Sequence, residues 1–133
     1  MKTKSIKTDK APAPVANYSQ ALKAQNFLFL AGQGAFDAKT GVLVGSDMTT
    51  QTRKTLENIG YVLEAAGLDH SHIVSIRYFV SDWGLFADMN KVHAEFFRKE
   101  PFPVRTTVEV GLAPGMLVEI DAIAQVEQSL PNS

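Results

Sequence analysis

Pro103-Val104-Arg105-Thr106-Thr107-Val108-Glu109-Val110 and Leu117-Val118-Glu119-Ile120-Asp121-Ala122-Ile123-Ala124 both alternate with period two, as strands with one apolar face do. In the first stretch Val104, Thr106, Val108 and Val110 share a face, expected to be the buried one, and Arg105, Thr107 and Glu109 share the other. In the second, Val118, Ile120, Ala122, Ala124 and Val126 form the apolar face, opposite Leu117, Glu119, Asp121, Ile123 and Gln125. Ala113-Pro114-Gly115 carries turn chemistry between them. The expected product is a C-terminal hairpin with a guanidinium and several carboxylates on its non-core side. Arg105 and Glu119 are therefore the first candidates for function, set against the blander reading of a solvated sheet face.

Working outward, residues 3–7 read as a short strand, and Ala11-Pro12-Ala13-Pro14 as an extended connector, because alternating prolines disfavour helix and ladder pairing. Tyr18-Ser19-Gln20-Ala21-Leu22-Lys23 enters a strand. Phe27-Leu28-Phe29-Leu30-Ala31 is a continuous apolar run suited to a strand buried on both faces. Gly32-Gln33-Gly34 ends it and permits close approach of a ligand or another backbone. A turn at residues 37–41 precedes a short Val42-Leu43-Val44 strand. Asp47 is the expected N-cap of a helix running to about Ala66 with Gly67 as its C′ residue. Thr52, Leu56, Ile59, Leu63 and Ala66 form its buried stripe. Gly60, costly inside a helix by about 1 kcal/mol, suggests close packing on a sheet.

Residues 72–80 alternate again, with Val74, Ile76, Tyr78 and Val80 on one side. Ser81 or Asp82 should cap a second helix through Arg98, with Phe86, Met89, His93 and Phe96 or Phe97 inward. Pro101 and Pro103 end it, and residues 128–133 read as a frayed tail. The result is an α+β fold over residues 1–133, one domain with a mixed sheet and two helices on one face. The other sheet face carries Ile123, Leu117 and part of the 27–30 run, too apolar to stay wet. Homo-oligomerisation through that face is expected.

The chain has 133 residues, 13 basic and 14 acidic side chains and a net charge of −1, so no electrostatic nucleic-acid partner is expected. Nothing approaches the roughly 18 apolar residues of a membrane span. The basic N-terminus lacks a following apolar segment, which makes the cytoplasm the expected compartment. Without cysteine there is no disulfide framework or thiolate site. Phosphate-loop, nucleophile-elbow and zinc-pair motifs are absent. Gly32-Gln33-Gly34 is no dinucleotide fingerprint, since no helix follows directly. His70 and His72 read as solvent-exposed turn residues, His93 as core-edge packing, and Trp83 as a hydrophobic anchor rather than a stacking platform. Asn90, beside the apolar stripe, needs hydrogen-bond partners if buried.

Several spaced blocks resemble the RidA/YjgF family of reactive-intermediate (enamine/imine) deaminases. Tyr18-Ser19-Gln20-Ala21 matches its Y-S-Q-A, Ala31-Gly32-Gln33 its S-G-Q, and Asp37-Ala38-Lys39-Thr40-Gly41 its D-x-x-T-G turn. Gln51-Thr52-Arg53-Lys54-Thr55-Leu56-Glu57-Asn58-Ile59 matches its Q-T-R-x-x-L-x-N-I. Phe86-Ala87-Asp88-Met89-Asn90 looks like F-x-x-x-N, and the two opening stretches look like P-x-R-[ST]-x-x-E-V and L-V-E-I-E-A. The resemblance spans roughly residues 15–126.

The resemblance implies a chorismate-mutase-like fold with a six-stranded mixed sheet, assembled as a homotrimer with active sites between subunits. It also implies hydrolysis of short-chain 2-imino acids, such as 2-iminobutanoate and 2-iminopropanoate, to 2-keto acids and ammonia without a cofactor. By the same resemblance, Arg105 grips the substrate carboxylate and Glu119 positions water. Backbone at Gly32 and Thr107, with side chains at Tyr18 and Asn90, completes the pocket. The chemistry is coherent, since guanidinium takes a carboxylate in a two-pronged bond and a protonated imine needs oriented water rather than a strong nucleophile.

The sequence departs from the family pattern at Ala16-Asn17 (for G-P), Ala31 (for serine), Thr107 (often cysteine) and His93 (often tyrosine). A pocket without the serine hydroxyl is expected to favour a bulkier or differently decorated acid. Two other functions compete: a carboxylate-binding regulatory protein without turnover, and a ribonuclease or translation inhibitor. The net charge weighs against the last.

Overall fold

A computed structural model of the protein describes residues 2–126, so the expected tail at 128–133 lies outside the described residues. Six strands form one mixed sheet: β1 (Lys4–Ile6), β2 (Ala21–Ala24), β3 (Phe27–Gln33), β4 (Ile73–Val80), β5 (Val104–Glu109) and β6 (Val118–Gln125). Their spatial order is β1-β2-β3-β6-β4-β5. Among the described residues only β4 and β5 run parallel. Two helices, α1 (Met48–Ala65) and α2 (Phe86–Phe96), pack on this sheet.

The C-terminal hairpin does not form. β4 inserts between β5 and β6, so the turn at Ala113-Pro114-Gly115 joins strands that are not neighbours. β6 has the expected alternation, with Val118, Ile120, Ala122 and Ala124 buried. On β5 the expected burial is reversed. Val104 is 68% and Val108 40% exposed, because their side lies away from the helices. In a parallel pair, registered residues share a face. Arg105 pairs with Ile76 and Thr107 with Tyr78, and both partners are fully buried under the helices. Period two identifies an apolar face without saying which layer covers it.

The same open face explains two further corrections. Phe27 and Phe29 are 40% and 45% exposed, so β3 is buried on one side only, through Leu28 and Leu30. On β4 a register shift between Ile73 and Ser75 turns Ile73 inward and leaves Val74 exposed, a device that re-aims side chains. The expected 42–44 strand reduces to a single bridge, Phe36 to Leu43.

α1 begins as expected, with the Asp47 carboxylate accepting from Thr50 N at 2.9 Å, and Gly67 adopts φ +76° beyond its end. Leu56, Ile59, Val62 and Leu63 are fully buried, each worth about 1.5–3 kcal/mol; Ala66 is half-buried. The second helix starts later than expected. Asp82 caps a 3₁₀ turn at Trp83–Leu85, and α2 follows with Met89 and Val92 buried. Arg53 bonds both Glu95 carboxylate oxygens and ties the helices at their surface.

Three buried amides hold the loops. Gln20 Nε2 donates to the carbonyls of Thr8, Ala11 and Pro12 and its Oε1 accepts from Thr8 N, fixing the proline-rich connector. Gln51 donates to Gly45 O and Gly115 O and accepts from Leu117 N, fixing the entry to β6. Asn58 donates to Gly34 O and Phe36 O. Such groups are costly to leave unpaired, so each amide sets a loop path.

Gly60 does not face the sheet. A Cβ there would meet His70 Cε1 at 2.7 Å. His70 is correspondingly no free turn residue: its Nε2 lies 2.7 Å from Leu56 O, and its ring meets Phe96 and Phe97 edge-on. His72 Nδ1 likewise accepts from Asp69 N. Helix propensity alone would make Gly60→Ala stabilising by about 1 kcal/mol. The pinned ring reverses that expectation. Urea unfolding should show Gly60→Ala destabilised by about 1–3 kcal/mol, and a gain in stability would contradict this packing.

Candidate active site

Glu119 lies on β6 opposite Phe79 of β4, on the open side of the sheet. It is partly buried, and burial, then the neighbouring Asp121 charge, raises its pKa above the usual carboxylate value. A Cβ on Gly32 would fall 2.7 Å from Glu119 Oε2. Glycine is thus what allows this carboxylate to lie against β3. Both residues, with Tyr18, Phe36 and Lys39, line a cleft of about 660 Å³. Tyr18 is half-exposed, and its backbone N–H donates to Ala16 O at 2.9 Å, so Ala16-Asn17 still builds a tight turn ahead of it.

Arg105 lies on the opposite side of the sheet, at the edge strand. Its Nη1 donates to Asn90 Oδ1 at 2.7 Å. Its guanidinium carbon is 5.5 Å from the Phe86 ring centroid and 5.9 Å from that of Tyr78, within cation–π range. Thr107 is half-buried on the same face of β5. Asn90 is exposed on α2 rather than buried, so the sequence reading's condition for needing a partner is not met, yet its side chain still pairs with Arg105.

Behind this cation, the Tyr78 hydroxyl is 2.6 Å from His93 Nδ1. Burial, and secondarily Arg105, depresses the His93 pKa from 6.5 to about 4. Burial raises that of Tyr78. At neutral pH both are uncharged, so a hydroxyl that keeps its proton can donate to an unprotonated imidazole nitrogen. His93 is therefore more than core-edge packing: it completes the polar floor beneath Arg105.

The six expected site residues therefore fall into two groups within one chain. Tyr18, Gly32 and Glu119 share the cleft on one side; Asn90, Arg105 and Thr107 gather on the other. The hairpin expectation, which put Arg105 and Glu119 on one face, is corrected by β4 lying between their strands. Trp83, expected as a hydrophobic anchor rather than a stacking platform, is 51% exposed and stacks on Phe86 with centroids 4.8 Å apart and planes at 20°.

The family model described as Endoribonuclease L-PSP matches residues 8–126. A RutC family protein of Pyrococcus horikoshii is 48% identical over 92% of this chain and 97% of its own length. The chain belongs to the RidA/YjgF family. Among solved structures, a Rid family protein (YyfA) from Yersinia pestis superposes with a TM-score of 0.90 at 38% identity, covering 94% of this chain and all of that one. The chloroplastic Reactive Intermediate Deaminase A of Arabidopsis thaliana is 36% identical over 93% of this chain and 66% of its own length. The likeness to a Rid structure extends to the whole α+β arrangement of two helices on a six-stranded sheet. Among the described residues no helix is long and apolar enough to cross a membrane.

The depressed His93 pKa has a stability consequence. Between pH 6.5 and about 4 the unfolded chain binds a proton at this histidine that the folded chain refuses. Stability is therefore full above pH 6.5 and declines as pH falls through that window. The turn carboxylate Asp37 and the capping carboxylates Asp47 and Asp69, whose pKa values are lowered by the N–H and O–H groups they accept from, act only at lower pH. Denaturant midpoints measured from pH 7 to 4.5 should fall in the wild type and fall less in His93→Gln. Identical slopes would contradict the reading.

Proposed function

We propose that this protein hydrolyses 2-imino acids to 2-keto acids and ammonia, at sites where the Arg105 side of one chain meets the Glu119 side of another. The observation that carries this reading is the separation itself. A guanidinium braced by Asn90 and two rings and a partly buried carboxylate against Gly32 are each half of a site, and they lie on opposite faces. The open sheet face, with Phe27, Phe29, Val104 and Val108 exposed, supplies the apolar surface for association. Cyclic homo-oligomers close by such repeated contacts, and a homotrimer is the form we propose.

In this scheme the substrate is the protonated imine, R–C(=NH2⁺)–COO⁻. Arg105 holds the carboxylate in a two-pronged bond, with Asn90 fixing the guanidinium. Water adds to the imine carbon while Glu119 takes its proton, giving a neutral carbinolamine. Glu119 returns that proton to nitrogen, the C–N bond breaks to release ammonia, and the hydroxyl proton passes to that ammonia as the carbonyl forms. The products are the keto acid and ammonium. A carboxyl whose pKa is raised above the usual carboxylate value by burial suits both acceptance and return of a proton. Tyr18 and the backbone of Gly32 and Thr107 enclose the reacting centre, and none of these steps requires a cofactor.

The test generates 2-iminobutanoate or 2-iminopropanoate in situ with a dehydratase and follows keto-acid release. The wild type should accelerate it. Glu119→Gln should lose about 10²–10⁴-fold, and Arg105→Ala should lose activity chiefly through weaker binding. A folded oligomer that leaves the spontaneous rate unchanged would sink the proposal.

A further inference from the structure

We propose that Trp83 and Phe86 form a specificity wall beside Arg105, favouring 2-imino acids with an aromatic or other flat apolar side chain over the smallest ones. The inference rests on Arg105 as the carboxylate anchor and deepens that reading.

Trp83 is the only tryptophan of the chain, and the core does not use it. About half of its surface is exposed, while its backbone is held on several sides. Glu109 Oε1 accepts from Trp83 N at 2.7 Å, Asp82 Oδ1 accepts from Gly84 N at 2.8 Å, and Leu85 N donates to Asp82 O at 3.0 Å. A large, two-torsion aromatic side chain on a pinned turn is a recognition feature, because little entropy is lost when a ligand packs on it.

Its placement specifies the ligand. Phe86 is shared: Trp83 stacks against its ring at 4.8 Å, and the Arg105 guanidinium carbon lies 5.5 Å from the same ring's centroid. A carboxylate held on Arg105 thus has a hydrocarbon surface next to it, continuing outward to the indole. An imino acid whose ring is one methylene from the imine carbon can reach along that surface; a methyl or ethyl side chain leaves it wet. The Glu109 carboxylate, fixed at the turn, disfavours an acidic side chain there.

Binding of two stable carboxylates, 3-phenylpropanoate and propanoate, tests this without requiring turnover. In the wild-type oligomer, 3-phenylpropanoate should bind about tenfold or more tightly and perturb the single tryptophan's fluorescence. Calorimetry should show that preference lost in Trp83→Ala, largely kept in Trp83→Phe, and both acids weakened in Arg105→Ala. Light scattering should give one unchanged oligomer mass throughout. Equal affinities in the wild type, or a preference that survives Trp83→Ala, would overturn the proposal. So would a changed mass in Trp83→Ala, which would assign the ring to subunit packing. Absence of imine turnover with the binding preference intact would count against the hydrolase reading alone.

Discussion

Strand β4 is registered on both of its edges, and the rest of the molecule depends on that double constraint. On one edge Val80 and Tyr78 pair with Val118 and Ile120, which leaves Phe79 beside Glu119 on the open face. On the other, Tyr78 and Ile76 pair in parallel with Thr107 and Arg105, which sends those side chains to the helix side. A slip of one residue on either edge would exchange every side chain between the layers. Burial prevents it: Ile76, Tyr78, Val80, Val118 and Ile120 are all fully enclosed. The positions of the two charged candidates follow from packing in the core rather than from attraction between them.

Each of the two clusters is then finished by local devices. On the Glu119 side, absence of a side chain at Gly32 leaves room for the carboxylate, while burial and Asp121 favour its protonated form. Gln51 anchors the loop that leads into β6. Asp121 is itself held by a two-pronged contact with Arg77, so the charge beside Glu119 is fixed in place. On the Arg105 side the cation has aromatic rings beside it and Asn90 ahead of it, over the neutral Tyr78–His93 pair. The fold places the six expected residues in two clusters on opposite sides, so one chain does not bring them together.

The legibility of the sequence divides along physical lines. Helix α1, its Asp47 cap and the β6 core face were readable because they depend on local signals: capping chemistry, a three-to-four stripe and alternation in a central strand. The hairpin failed because period two does not reveal which strands are neighbours, and β4, registered in parallel with β5 (Ser75 with Val104), took the place between them. Val74 failed because a register shift leaves no mark in the alternation. Gln20, Gln51 and Asn58 appeared in the resembling blocks as motif letters, and only tertiary structure shows that they are loop clamps. His70 beneath Gly60 and Trp83 over Phe86 required contacts that no local pattern encodes. The six candidate residues were nominated by the resemblance, which also implied sites between subunits; which three lie on which side of the sheet came only from the fold.

The central claim, that a working site is shared between chains, is tested most directly by complementation. Arg105→Ala and Glu119→Gln chains, each inactive alone, would be unfolded, mixed and refolded together, and keto-acid release from 2-iminobutanoate measured after mass analysis confirms mixed oligomers. A shared site predicts that activity returns, because some interfaces in a mixed assembly pair an intact Arg105 from one chain with an intact Glu119 from the other. Mixed oligomers as inactive as either parent would contradict it, placing both residues of each site within one chain.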